Sequence, residues 1–132
     1  MVPPCVVVVD DEVLIQMLLQ TDLTDAGFTV FIEGSMENAL ARLASGACEC
    51  HALVTDINLG DGQSGWDIAR RARELNPAMP VVYMTGDSAH EWPVQGVPGS
   101  VLVSKPFATV QIINAVAQLL TDTSSAAATP TA

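Results

Sequence analysis

A chain of 132 residues is the length of one domain and long enough to bury a core. Its 49% apolar content includes no run near the length of a membrane span, and its start lacks a signal-peptide pattern, so a soluble, cytoplasmic protein without membrane contact is expected. Fifteen acids against five bases give a net charge of −10, which disfavours direct nucleic-acid contact, and three cysteines are an odd count for a disulfide scaffold.

Val6 to Val9 is a continuous β-branched run, expected of a strand covered on both faces. Asp11 is placed to cap a helix over about 12–26. Val13, Met17, Leu14, Leu18, Ile15 and Leu19 predict a wide buried stripe on it, and Gly27 is a fitting residue just past its end. Phe28 to Ile32 reads as a second strand. Ser35 caps a helix over 36–45, with Met36, Leu40 and Leu43 inward and Gly46 following. Cys48-x-Cys50-His51 offers soft metal ligands, but a structural zinc site takes four, and the remaining cysteine, Cys5, begins the first strand. Small apolar fillers and a loop histidine are the expected roles there.

Ala52 to Thr55 is the third strand, and a loop through Asn58-Leu-Gly-Asp-Gly-Gln leads to Ser64, the cap of a helix that Pro77 stops near Asn76. Val81 to Met84 and Val101 to Ser104 are the fourth and fifth strands. Between them Pro93, Gly96, Pro98 and Gly99 limit any helix to about 88–92. Phe107 to Leu120 is a last amphipathic helix with Val110, Ile113, Val116, Ala117 and Leu120 on its apolar face. Thr121 to Ala132 lacks large apolar residues, so a domain of residues 1–121 followed by a disordered tail or linker stub at 122–132 is expected. Strands alternating with helices imply a parallel α/β sheet covered on both faces.

Four of these apolar runs end in polar residues: Asp10-Asp11, Asp56, Thr85-Gly86 and Lys105-Pro106, with Lys105 the single lysine of the chain. In an open parallel sheet such ends share one edge, where ligands bind at the switch in strand order. Crowded carboxylates call for a hard cation, and Mg²⁺ takes oxygen ligands together with phosphate. An aspartate can serve as nucleophile toward phosphorus, while an ammonium and a hydroxyl neutralise the equatorial oxygens. Each element alone has a plainer reading: a helix cap, a turn, a solvated loop entry. Their joint order is what carries the chemistry.

The runs VVVVDDE at 6–12, VTDINL at 54–59, SGWDIARRAR at 64–73, VVYMTG at 81–86 and VSKPF at 103–107 resemble the response-regulator receiver domains of two-component signalling. The likeness covers residues 4–120. It implies a flavodoxin-like, doubly wound, five-stranded sheet of order 2-1-3-4-5 with a short or degenerate fourth helix. It also implies that Asp56 accepts the phosphoryl group. Asp11 and Asp56 would ligate Mg²⁺, Asp10 would act mostly through water, and the Asn58 backbone carbonyl would complete the protein ligands. Thr85 would be the switch hydroxyl, Lys105 the counter-charge of the phosphoryl group, and the Lys105–Pro106 bond would be cis. The implied donor is a histidine kinase or a histidine phosphotransfer protein, and the implied output is to a protein partner at about 85–120. Such a chain promotes its own Mg²⁺-dependent phosphorylation and dephosphorylation without turning over an external substrate.

Three departures stand beside the likeness. Leu102 occupies the position where receivers commonly carry an aromatic residue coupled to the threonine. The segment after Thr85 is short and rich in proline and glycine. The loop Gly60-Asp61-Gly62-Gln63 replaces the common proline after the acceptor and is expected to be more mobile. Asn58 and Asp87 sit where the family tunes aspartyl-phosphate hydrolysis. The competing readings are a pseudo-receiver that only binds protein, a small phosphohydrolase, and a flavodoxin-like cofactor binder. The phosphohydrolase lacks the usual second acid, because Asn58 stands there. The cofactor binder is disfavoured because the acids would repel FMN phosphate.

Overall fold

The computed structural model describes residues 3–45, 50–60 and 62–128, with side chains as far as residue 122. Five parallel strands form one sheet: β1 (Cys5–Val9), β2 (Thr29–Glu33), β3 (Ala52–Asp56), β4 (Val81–Thr85) and β5 (Val101–Ser104). Their order is β2-β1-β3-β4-β5, so the chain leaves β1 in one direction and returns to its other side as β3. The helices are α1 (Val13–Asp25), α2 (Met36–Ser45), α3 (Gly65–Leu75), α4 (Trp92–Gln95) and α5 (Thr109–Ala128), and a 3₁₀ turn, Ala89–Glu91, precedes α4. The doubly wound, flavodoxin-like architecture expected from the sequence is the one observed.

Burial explains the apolar runs. Every residue of β1, β3 and β4 is buried, as central strands covered on both faces must be. The edge strands β2 and β5 are only partly covered. Alternation along the strands builds two cores. Val7, Val9, Leu53 and Tyr83 pack with Ala39 of α2 and Ala69 and Ala72 of α3. Val6, Val8, Val54 and Met84 pack with Leu19 and Leu23 of α1 and Ile112 and Val116 of α5.

Several local expectations change. Asp11 does not cap α1: Glu12 stands at the cap position without a side-chain bond, and Asp10 Oδ1 instead accepts from the Glu12 N–H at 2.8 Å. The wide buried stripe on α1 is not formed either. Leu19 and Leu23 are buried and Ile15 packs beside them, but Val13, Leu14, Met17 and Leu18 are 64%, 80%, 61% and 44% exposed. Residues 15, 19 and 23 form one i,i+4 row, and on α1 it is this row that meets the core, whereas α3 buries a wider stripe. Apolar residues on the neighbouring rows therefore face out.

Phe28 lies outside β2, its N–H bonded to Leu23 O at the end of α1, while Gly27 follows the Ala26 cap at φ 101° as a residue past a helix end should. Ser35 and Ser64 cap as expected, accepting from Asn38 N and Trp66 N. The fourth helix runs beyond residue 92 because Pro93 occupies its first turn, where no N–H is needed. The helical backbone of α5 continues through 121–128, where the composition alone suggests a tail. Once a helix is nucleated, each added residue gains a hydrogen bond at little cost, and Ala126 to Ala128 are strong helix formers. Gly46, Cys48, Asp61 and the last four tail residues lie outside the described residues. Cys50 Sγ lies 3.2 Å from Ala52 O, and His51 Nδ1 accepts from the Cys5 N–H at 2.9 Å.

Candidate functional site

The carboxyl ends of β1, β3 and β4 bring the sequence-predicted acids to one cleft, of about 530 Å³, lined by Asp11, Glu12, Asp56, Asn58, Gly60, Gly86, Asp87 and Lys105. Asp10, Asp11 and Asp56 each offer a carboxylate oxygen, all within 4.8 Å of one another. Asp10 has no exposed surface and Asp56 is 6% exposed. Lys105, just past β5, sends Nζ to within 3.3 Å of Asp56 Oδ2 and 3.5 Å of Asp10 Oδ2. The backbone holds it there: the Lys105 N–H donates to Thr85 O at 2.6 Å, and the Lys105–Pro106 peptide is cis as expected.

Electrostatics follow from this crowding. Burial pushes the Asp10 carboxyl up from its ordinary 3.8 to about 6; the Glu12 N–H opposes the rise, and the Asp56 charge adds to it. Asp56 is raised too, chiefly by burial, with Lys105 pulling the other way. Burial alone would lower Lys105, but Asp10, Asp56 and then Glu12 outweigh it, so its ammonium is held above its ordinary value. Two buried acids are thus destabilised as anions with one ammonium between them. Further positive charge at the three clustered carboxylates would relieve both. Such a hard-oxygen donor set fits a small divalent cation.

Glu12 is a site residue that motif reasoning misses. Its Oε1 lies 3.5 Å from Lys105 Nζ, and the available signal was its place in the Asp-Asp-Glu run. The loop after β3 is built to hold Asp56. Gly65 N donates to Ile57 O at 2.7 Å, and a Cβ on Gly65 would overlap the Asp56 carbonyl oxygen, so only glycine lets α3 start this close to the strand end. Within the loop Gln63 N donates to Gly60 O, Leu59 N to Gln63 O, and Gln63 Oε1 accepts from Met36 N at the start of α2.

Thr85 and Leu102 are not brought into the cleft. Thr85 Oγ1 turns back to accept from Ser88 N at 2.7 Å and Asp87 N at 3.2 Å. Leu102 sits half-buried in register with Tyr83 on β4. Asn58 and Asp87 do meet: Asn58 Nδ2 donates to Asp87 Oδ1 at 3.1 Å across the cleft, and Ser88 Oγ donates to the same oxygen.

A family model of the response regulator receiver domain matches residues 6–117, which takes in all of these site residues. The chain belongs to this family. The probable transcriptional regulatory protein TcrX of Mycobacterium tuberculosis is 30% identical over 113 residues, covering 84% of this chain and 47% of that protein. The transcriptional regulatory protein CusR of Escherichia coli is 31% identical over 115 residues, covering 86% and 49%. The receiver chain thus spans about half the length of these curated relatives. Among solved structures, a response regulator receiver protein from Sinorhizobium medicae is 39% identical with a TM-score of 0.87, covering 92% of this chain and 97% of that one. The Vibrio cholerae chemotaxis protein CheY4, at 21% identity and a TM-score of 0.78 over 89% of this chain and 98% of that one, shares the fold. Among the described residues no helix is long and apolar enough to cross a membrane.

Proposed function

We propose that this receiver takes a phosphoryl group onto Asp56 from a histidine kinase or a histidine phosphotransfer protein. The observation that carries the reading is the Lys105 ammonium, held 3.3 Å from Asp56 Oδ2 in an acid-lined cleft that opens to solvent. A carboxylate oxygen of Asp56 forms the new bond to phosphorus as the donor's bond breaks. The donor leaves with that electron pair and takes its proton from solvent. Lys105 then exchanges its carboxylate partners for phosphoryl oxygens, as a point charge suited to the loose transition state.

Mg²⁺ is the cation proposed, and when bound it neutralises charge between the acids and the transferring group. Asp11, Asp56 and the Asn58 carbonyl would hold it, with Asp10 acting through water. Thr85 would leave its two turn N–H groups for the phosphoryl group, and the change would reach a protein partner over about 85–120. A kinase meets ATP in the cytoplasm, so that is the compartment proposed. With a net charge of −10, this domain would not itself contact nucleic acid.

The test is labelling with a small acyl phosphate and Mg²⁺. The chain is expected to gain one phosphoryl group, labile in alkali, and Asp56→Asn to gain none. Equal labelling of the variant would move the acceptor elsewhere. No labelling of either would favour a pseudo-receiver that only binds protein.

The Asn58–Asp87 hydrogen bond gives this reading a second consequence. It lies across the same cleft that Asp56 lines, where water attacking an aspartyl phosphate would have to enter. Asp87→Ala is expected to change the aspartyl-phosphate lifetime severalfold, read by release of inorganic phosphate. An unchanged lifetime would remove Asp87 from the account.

A further inference from the structure

The segment between β4 and β5 is held at its start by Thr85 and at its end by Tyr83 and Ser100, two side chains to which the acceptor chemistry gives no part. At its start the Thr85 hydroxyl accepts from the buried Ser88 N–H and from Asp87 N. At its end Val97 is clamped through both backbone groups. Its N–H donates to Tyr83 Oη at 3.1 Å, and its carbonyl accepts from Ser100 Oγ at 2.7 Å. Ser100 Oγ in turn accepts from Trp92 Nε1 at 3.0 Å. The Trp92 indole lies so close over Gly96 that any Cβ there would overlap it.

Tyr83 itself is wholly buried, its ring 4.7 Å from that of Trp66. It precedes Thr85 by two residues and so shares its face of β4. Its register partner on β5 is Leu102.

Between the two anchors there is almost no slack. The 3₁₀ turn Ala89–Glu91 passes directly into α4, with Glu91 N bonded to Ser88 O and Gly96 N to Trp92 O. Arg70 of α3 adds a tie to the Gln95 carbonyl at 3.2 Å. If the Thr85 hydroxyl leaves for a phosphoryl group, two N–H groups lose their acceptor, one of them buried, and the turn must shift to satisfy them. A short rod fixed at its far end converts that shift into a rotation at Trp92 and Gly96.

The geometry points to Tyr83 as the positioning residue that couples Thr85 to the surface of this chain, with its phenol oxygen on Val97 N as the pivot. The coupling that Leu102 has no hydroxyl or ring to provide from β5 then runs through an aromatic residue of β4. The reporter at the surface is Trp92, over an open groove of about 250 Å³ that it lines with Pro93, Gly96, Val97 and Ser100. This role of Tyr83 rests on the acceptor reading of Asp56 and belongs to the step after the phosphoryl group has arrived.

The experiment is ¹⁹F NMR of the full chain carrying 5-fluorotryptophan, with the two indoles assigned by Trp92→Phe. Beryllofluoride with Mg²⁺ is the probe, and its own bound ¹⁹F signal reports acceptor-site occupancy separately. In the unaltered chain the Trp92 resonance is expected to move when the bound beryllofluoride signal appears. In Tyr83→Phe the bound signal is expected to persist while the Trp92 displacement falls by more than half. Ser100→Ala leaves the tyrosine in place and is expected to reduce the displacement likewise, which keeps the test open should Tyr83→Phe fail to fold. Bound beryllofluoride with a full displacement in a folded variant would overturn the pivot and leave the acceptor reading intact, as would bound probe without displacement in the unaltered chain. No bound signal in the unaltered chain would overturn both.

Discussion

Asp10 is the most deeply placed acid of the cleft, and its ionisation has a sign that can be checked. Its carboxyl is raised from 3.8 to about 6 in the folded chain, so between those values the folded state keeps a proton that the unfolded state has released. Stability therefore falls as pH rises through that window, which is the reverse of the usual salt-bridged carboxylate. With divalent cations chelated, the melting temperature of the unaltered chain relative to Asp10→Asn is expected to drop between about pH 4 and about pH 6. A difference that stays flat across the window would show an unshifted carboxyl. Mg²⁺, the cation proposed above, would favour the ionised form, so its binding is expected to strengthen with pH over the same range. At this scale the acids and Lys105 are legible because each ends an apolar run. Glu12 and Tyr83 are not, because in the order of residues one is only the tail of a motif and the other only strand filler.

At the scale of elements, α1 shows how far periodicity reaches. Its apolar residues predict a stripe, but only the i,i+4 row toward the sheet is buried. Leu19→Ala is expected to cost about 2–5 kcal/mol in chemical denaturation, whereas Leu14→Gln, at a position 80% exposed, should stay within about 0.5 kcal/mol. Equal losses would mean that α1 is covered on both sides. The start of α3 makes the opposite point. Gly65→Ala inserts a methyl group against the Asp56 carbonyl oxygen, so a loss of about 1–3 kcal/mol is expected, together with slower labelling of Asp56. Stability lost with labelling unchanged would separate packing from acceptor geometry. Helix ends with serine caps are readable, since Ser35 and Ser64 act through local bonds. The extent of α5 is not, because helix propagation depends on the nucleus before it.

For the whole molecule, the net charge of −10 places like charges over one small domain, with several of them converging on the cleft. Raising monovalent salt should raise the melting temperature by a few degrees through screening. Millimolar Mg²⁺ should do more than monovalent salt of equal ionic strength, because it would also bind. Equal effects would reduce the cation to general screening.

The alternation of apolar runs with helices, two of them opened by serine caps, and the acid, hydroxyl or ammonium closing each of four runs, is a property of the order of residues. It needed no coordinates, since strand burial and helix caps are local or periodic signals. Tertiary structure alone decided which of these residues share a cleft. Asp10, Asp11, Asp56 and Lys105 meet because the strand order reverses at β1 and the carboxyl ends lie on one edge. The Thr85 hydroxyl is turned away because two N–H groups of the next turn claim it. The clamp ties Tyr83 of β4 to Val97, and Trp92 to Ser100, in the segment that precedes β5, and the meeting of a buried phenol with that segment is set by packing rather than by spacing along the chain.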